Sequence, residues 1–332
     1  MQFGTRRVGR TSLEVTVLGL GGATLGGNMA NITDSDAKII VLDAYDTGIR
    51  YFDTAPFYGY GRSERLVGDE LRDRDGWVLS TKVGRRLRPR LGPQQPGDPW
   101  TRPLPFEPWF DYSYDGVMRS YEDSLQRLGL NHVDIAYIHD IDTYTHGPEL
   151  QPKMHAAAME GAYRALDELR RNGCVKAIGL GVNEAKPIAD ALDHGQWDCF
   201  LLAGRYTLLE QDPLESLFPA LDRHGATVVV GGPFNSGILV GRETWNYARA
   251  PEEVMTRVKA IARVCDAHGV PLAAAALQFP LANPTVSSII PGPRSAAELN
   301  QIFEWWEAKI PAALWSDLKS EKLIAAAAPV PA

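Results

Sequence analysis

Cysteine is scarce in this chain: Cys174, Cys199 and Cys265 are its three copies. An odd number, widely scattered and without metal-type spacing, gives neither a disulfide framework nor a metal site, and fits a reducing compartment. No stretch offers about 18 consecutive apolar residues, so no membrane span is expected. Basic excess is also missing. The 34 Lys and Arg against 41 Asp and Glu leave a net charge of −7, which argues against a nucleic-acid partner. No apolar segment follows Arg6-Arg7, so no signal peptide and a cytoplasmic location are expected. Nor does a G-x-G-x-x-G follow the first apolar run, as an open dinucleotide-binding sheet would show. What is present is ordinary for a globular protein, 45% hydrophobic and 23% charged.

The 332 residues read as one domain in which buried strands alternate with helices. Residues 6–15 read as an N-terminal hairpin around Gly9-Arg10. Val15–Leu20 is the first buried strand. Thr33-Asp34-Ser35-Asp36 caps a helix through Ala44. The second strand ends at Asp53, the third at Lys82 and the fourth at His139, with helices from about Ser63, from Tyr114 to Leu128, and from Met159 to Asn172. Val175–Val182, Cys199–Ala203, Ala226–Val230 and Val286–Ile290 continue the series. Helices are expected at Pro213–His224, Pro251–His268, Pro271–Ala282, Ser295–Trp306 and Pro311–Leu323. The tail from Ala325 to Ala332 reads as frayed. Eight alternations predict a parallel sheet closed as a (β/α)8 TIM barrel, with an open doubly wound sheet as the second choice. The segment from Gly84 to Tyr114, rich in Pro, Arg and aromatics, reads as a long loop on the substrate side.

The stretch Tyr51-Phe52-Asp53-Thr54-Ala55-Pro56-Phe57-Tyr58-Gly59 is central. In a barrel the site lies at the C-terminal ends of the strands. That is where Asp53, Lys82 and His139 fall, with Tyr58 just beyond. Each alone has a structural reading: Asp53 as a turn cap, Tyr58 as a loop aromatic, His139 as a core histidine. Lys82 is harder to dismiss, because a buried lysine needs a partner. Together they form a proton relay around a carbonyl–alcohol pair. Lys82 would lower the phenol pKa of Tyr58, Asp53 would hold Lys82, and His139 would orient the carbonyl. No serine or cysteine nucleophile arrangement is visible, so a hydride from a nicotinamide cofactor is the natural complement.

In Phe52-Asp53-Thr54-Ala55 with Tyr58-Gly59, Thr81-Lys82, Ile138-His139, Ile178-Gly179 with Asn183, and Ile290-Pro291-Gly292-Pro293-Arg294-Ser295, the chain resembles the aldo-keto reductase superfamily over nearly its whole length. Within it the chain is similar to the branch of D-threo-aldose 1-dehydrogenase, L-fucose dehydrogenase and pyridoxal 4-dehydrogenase. That likeness rests on Gly84-Arg85, Phe110-Asp111-Tyr112-Ser113, Gly179 to Glu184, Ala203 to Leu209 and Gly232 to Gly237. The resemblance implies catalysis by Asp53, Tyr58, Lys82 and His139, with Tyr58 as general acid/base. It implies a cofactor, NADP ahead of NAD, held by Gly22, Asp53, Asn183, Gly232, Pro233, Asn235, Gly237, Gly292 and Arg294, with Asn183 on the nicotinamide carboxamide. The substrate would be a sugar or small aldehyde.

The chain departs from the family pattern in four places. Gly181-Val182 stands where a serine usually precedes the asparagine. Ala203 replaces a glutamine. Gly231 or Gly232 replaces the aromatic that stacks on the nicotinamide, and Gly292 replaces a lysine of many NADPH enzymes. Arg294 would pair with a 2′-phosphate, stack on adenine or stand as a solvated cation. Phe57, Trp100, Trp109, Asp140 and Asp142 are substrate-side candidates with equally natural structural roles. A homo-oligomer is compatible with all of this. The rival readings are a general NADPH-dependent aldehyde or ketone reductase, a slow-turnover nicotinamide-sensing protein of the same fold, and a Schiff-base enzyme using Lys82.

Overall fold

A computed structural model describes residues 1–94 and 98–331. The hairpin predicted at the N-terminus forms from Thr5–Arg7 and Glu14–Thr16, paired antiparallel. The first barrel strand is shorter than expected. Val15 belongs to the hairpin, and only Leu20–Gly21 (β1) pairs in the main sheet. The following strands are Tyr51–Asp53 (β2), Val78–Val83 (β3), Ile135–His139 (β4), Ala177–Val182 (β5), Cys199–Ala203 (β6), Thr227–Gly231 (β7) and Val286–Ile290 (β8). All pair in parallel, each with its neighbour in chain order. The ring closes where Leu18 bridges Ile289, Gly19 N donates to the Ile289 carbonyl and Ile289 N donates to the Val17 carbonyl, both at 2.9 Å. This is the (β/α)8 barrel.

Strand residues alternate between two faces, and the apolar core divides accordingly. One cluster joins Tyr51, Ile135, Tyr137, Ala177, Cys199, Leu201 and Val229 with Val8, Leu13 and Val15 of the hairpin, which covers one end of the barrel. Arg6 fixes that hairpin through the carbonyls of Val286, Asn283 and Leu281 at 2.6 to 3.1 Å. The larger cluster lies between strands and helices. Thr33, Ser113 and Ser295 cap their helices by accepting from backbone N–H groups three residues on.

Three expectations need correction. The segment 84–114 is not an irregular loop: Arg85–Pro89 pairs antiparallel with Phe106–Phe110. Residues 95–97 lie outside the described residues. The helix expected from Met159 is preceded by a longer helical stretch, Thr143–Ala157, joined through a π-helical turn at Ala158–Ala162. Gly147 in the left-handed region (φ 70°), with Pro148 and Pro152 inside the span, hid that helix from a sequence reading. A short hairpin, Thr244–Trp245 with Ala248–Arg249, follows β7. The tail is not frayed along its described length. Ala325 N donates to Gln211 Oε1 (3.1 Å), Ala328 is buried and Val330 packs on the core. Among the described residues, no single helix is long and apolar enough to cross a membrane.

Candidate active site

Asp53 and His139 end β2 and β4, and Lys82 is the penultimate residue of β3 between them, so the topology brings the three together. Lys82 Nζ donates to Asp53 Oδ2 (2.7 Å) and to the Thr54 carbonyl (2.9 Å). It lies 4.6 Å from the centroid of the Tyr58 ring. The Tyr58 and His139 ring centroids are 6.0 Å apart. The four residues therefore form one cluster.

Asp53 is further anchored inside the barrel. Ser80 Oγ donates to Asp53 Oδ1 (2.7 Å), and the Tyr51 hydroxyl lies 3.1 Å from Ser80 Oγ and 3.2 Å from the Tyr137 hydroxyl. Tyr137 in turn lies 3.4 Å from Cys199 Sγ. Period-two alternation puts Ser80 and Lys82 on one face of β3, which is why both reach the same carboxylate.

The electrostatics differ from the expectation for Lys82. Burial, then the carboxylates of Asp53 and Asp140, push the Tyr58 phenol well above its ordinary pKa, and Arg85 is the cation that opposes them. Lys82, 4.6 Å from the Tyr58 ring, is itself paired with Asp53 at contact distance. Burial also raises the Asp53 carboxyl, against the pull of Lys82. His139 is pushed well below its ordinary value by burial and by Arg85 and Lys82, so it is neutral.

A cleft of about 500 Å³ opens beside this cluster. Gly22, Asp53, Asn183, Gly232, Pro233, Asn235, Gly237, Gly292 and Arg294 all line it, together with Tyr58. Its floor is bare backbone at Gly204, Gly231 and Gly232. Gly232 is left-handed (φ 56°), and a Cβ there would meet only Gly204 N, at 3.8 Å. A bare floor of this kind, in a cleft running from the Tyr58 phenol to the Arg294 guanidinium, suits a flat heteroaromatic joined to an anionic group. The residues present therefore fit a nicotinamide dinucleotide. Arg294 is tied to Glu298 through Nη2 (2.7 Å) and Nε (3.0 Å), and Arg242 reaches the same carboxylate at 2.9 Å.

The substrate-side candidates separate. The Phe57 ring lies 5.1 Å from Trp100 and 6.3 Å from His139, and Trp100 is 2% exposed. Both belong to the wall beside the cluster. Trp109 is 37% exposed and lies under Arg86 on the 85–110 hairpin, away from the cleft lining. Asp140 is not free to bind a hydroxyl. Its Oδ1 accepts from Asn183 Nδ2 (3.1 Å), and its Oδ2 lies 2.6 Å from Arg85 Nη2 and 3.3 Å from His139 Nε2. Asp142 Oδ1 caps Thr145 N, and Oδ2 accepts from Asn183 N and Nδ2.

Sequence reasoning missed Arg85, Arg242, Glu298 and Tyr247. Arg85 was visible only as part of a short motif at the head of a basic run. Tyr247 lines the cleft from the tip of the 244–249 hairpin, where Asn246 and Tyr247 are both left-handed (φ 47° and 62°).

A family model described as the aldo/keto reductase family matches residues 17–321. Pyridoxal 4-dehydrogenase of Microbacterium luteolum is 47% identical, over 96% of this chain and 97% of the relative. D-threo-aldose 1-dehydrogenase of a Pseudomonas species is 36% identical, over 94% and 95%. Among solved structures, the holo form of an aldo-keto reductase of Bacillus halodurans superposes with a TM-score of 0.76 at 24% identity, covering 98% of this chain and 97% of that one.

Proposed function

The chain belongs to the aldo/keto reductase family, and from that premise we propose that it moves a hydride between nicotinamide C4 and the carbonyl or hemiacetal carbon of an aldose or small aldehyde, with Tyr58 as general acid/base. The oxidoreductase class follows from the family and its dehydrogenase relatives. The observation that carries the finer reading is the Asp53–Lys82 pair, 2.7 Å across, against the Tyr58 ring at the edge of a glycine-floored cleft.

The chain's own residues supply binding, orientation and a proton. Burial keeps the Tyr58 phenol protonated at neutral pH, so in the reducing direction it is ready to give its proton to the carbonyl oxygen. Neutral His139 keeps its uncharged ring at the carbonyl without adding a competing cation. The carboxylate of Asp53 neutralises Lys82 and holds its ammonium beneath the phenol. Phe57 and Trp100 wall off water beside them. Asn183, whose amide N–H groups go to Asp140 and Asp142, presents the nicotinamide-binding side chain of the proposal. At the far end of the cleft, Arg242 and Arg294 share one carboxylate, Glu298. Two cations against one anion favour a 2′-phosphate, which puts NADP ahead of NAD.

The substrate class draws on the names of the relatives, one a pyridoxal and one an aldose dehydrogenase. The test is the absorbance of reduced nicotinamide with NAD or NADP and a panel of L-fucose, D-arabinose, L-galactose and pyridoxal. Tyr58→Phe is the control, expected to lose most turnover while still binding cofactor. A fully active Tyr58→Phe would remove the acid/base role. Reduction of simple aldehydes by NADPH without any sugar oxidation would move the assignment to a general reductase. Silence in both directions, with cofactor still bound, would move it to a nicotinamide sensor.

A further inference from the structure

Arg85 carries a charge that the proposed reaction has not yet used. Its side chain is 11% exposed, its Cζ sits 3.8 Å from the centroid of Phe57 and 4.8 Å from that of Phe110, and its Nε is buried without a hydrogen-bond partner. Its ion-pair partner is Asp140, the residue after His139, held in the left-handed region at φ 52°. That region is uncommon for non-glycine residues, although Asp tolerates it better than most, and here the surroundings hold it. They do so on several sides. The Asp140 backbone N donates to the Gly181 carbonyl (2.9 Å), and the Tyr112 hydroxyl lies 3.0 Å from the Asp140 carbonyl. One carboxylate thus meets Arg85, His139 Nε2 and Asn183 Nδ2.

We propose that Arg85 and Asp140 form a positioning pair that holds His139 and Asn183 in one arrangement, so that turnover requires Asp140 to be ionised and Arg85 to keep it so. Neither residue touches the reacting atoms in this proposal. Asp140 fixes the ring of His139 through Nε2 and the amide of Asn183 through Nδ2, and Arg85 supplies the compensating charge. His139 Nδ1 is buried without a partner, and Nε2 lies 3.3 Å from Asp140 Oδ2. The proposal deepens the oxidoreductase reading above and uses turnover in that sense.

The titration has a definite sign. Burial raises the Asp140 carboxyl to about 6, Arg85 and Lys82 pull it down, and Asp142 pushes it up. His139 at 3.3 Å, the half-buried His146 on the Thr143–Ala157 helix and the phenols of Tyr58, Tyr112, Tyr144 and Tyr247 also face it. Below that pH the carboxyl is protonated, the Arg85 ion pair loses its anion and the oxygen facing His139 Nε2 becomes a weaker acceptor. Removing Arg85 removes a lowering influence, so the point of failure must move to higher pH.

The experiment compares wild type, Arg85→Lys and Arg85→Met in kcat against pH, over roughly pH 5 to 9 with saturating reduced nicotinamide. Nitrogen NMR of the His139 ring, assigned with His139→Asn, is followed in parallel. Wild type is expected to lose kcat on the acid side of about 6. Arg85→Met should lose about 100-fold in kcat, the scale of a displaced catalytic group, with the acid limb moved upward. Arg85→Lys should bring the limb back toward the wild-type position. The ring signal should change across the same pH as the limb and move with it. A folded Arg85→Met with unchanged kcat and limb overturns the proposal. So does an Arg85→Lys limb that coincides with that of Arg85→Met, or a ring signal blind to the substitution. If wild type turns over no substrate while the ring signal still follows Asp140 and Arg85, the oxidoreductase reading fails and the positioning pair stands.

Discussion

Asp53 Oδ2 and Lys82 Nζ lie 2.7 Å apart with side chains only 2% and 1% exposed. The other carboxylate oxygen leads through Ser80, Tyr51 and Tyr137 to Cys199. A pair this dry costs more to break than it contributes whole, because each partner alone is an uncompensated charge out of water. Lys82→Met should destabilise the protein by about 3 to 5 kcal/mol near neutral pH. Much of that loss should disappear in the double variant with Asp53→Asn, since no buried charge is then left alone. Denaturant midpoints of the four proteins of the cycle decide it. Single variants that unfold with wild type would mean that water reaches the pair.

His139 supplies a prediction about acid stability. Its folded pKa is depressed well below 6.5. Its contribution to stability is therefore present above 6.5 and is lost as pH falls toward the folded value, where the unfolded chain takes up a proton that the folded one refuses. Asp140, raised to about 6, acts in the opposite sense, because the folded state binds its proton first. The difference between wild type and His139→Asn isolates the histidine. Thermal or denaturant stability of the variant should fall less steeply than that of wild type below about 6.5. Parallel curves would place a charged His139 in the folded protein.

Trp100 and Trp109 looked alike in the sequence and are not alike in space. Trp100 packs at 5.1 to 6.5 Å from Phe57, Tyr58 and Tyr60. Trp100→Ala should cost about 3 to 5 kcal/mol and reduce turnover with it, because the wall behind Tyr58 is lost. Trp109→Ala, on the open hairpin beneath Arg86, should stay within about 0.5 kcal/mol and leave kcat near wild type. Equal losses in the two would place Trp109 on the bound substrate.

The barrel and the meeting of Asp53, Tyr58, Lys82 and His139 were legible because each rests on a local sign. A polar residue ends a buried apolar run, and the alternation of strand and helix sets its neighbours. The span of α-helix at Pro213–His224 and the strand Val286–Ile290 emerge with the bounds expected from their caps and turns. What was illegible depends on distant partners or on residues that act against type. Gly147, Pro148 and Pro152 lie within a helical span. Pro89 and Pro108 sit in a paired hairpin. Alanines at the tail look idle until Gln211 and the core receive them. The role of Arg85 could not be read locally, since Asp140 lies 55 positions further on and meets it only through the closure of β3 against β4.

Glu298 gives the prediction that bears on cofactor choice. Its carboxylate is held below its ordinary pKa by Arg294 and Arg242, so it is ionised and occupies donors of both guanidinium groups. A 2′-phosphate entering there must compete with that carboxylate, whereas a ribose hydroxyl can be accepted by it. Glu298→Gln removes the competitor and keeps the side-chain volume. It should tighten NADP by about tenfold relative to NAD, on the scale of one charge-assisted hydrogen bond. Arg294→Ala should act in the reverse direction, weakening NADP more than NAD. Quenching of protein fluorescence during titration with each oxidised cofactor reads both dissociation constants without any substrate. An unchanged NADP-to-NAD ratio in Glu298→Gln would mean that the 2′ position of the ribose lies out of reach of this triad, and the preference for NADP would lose its support.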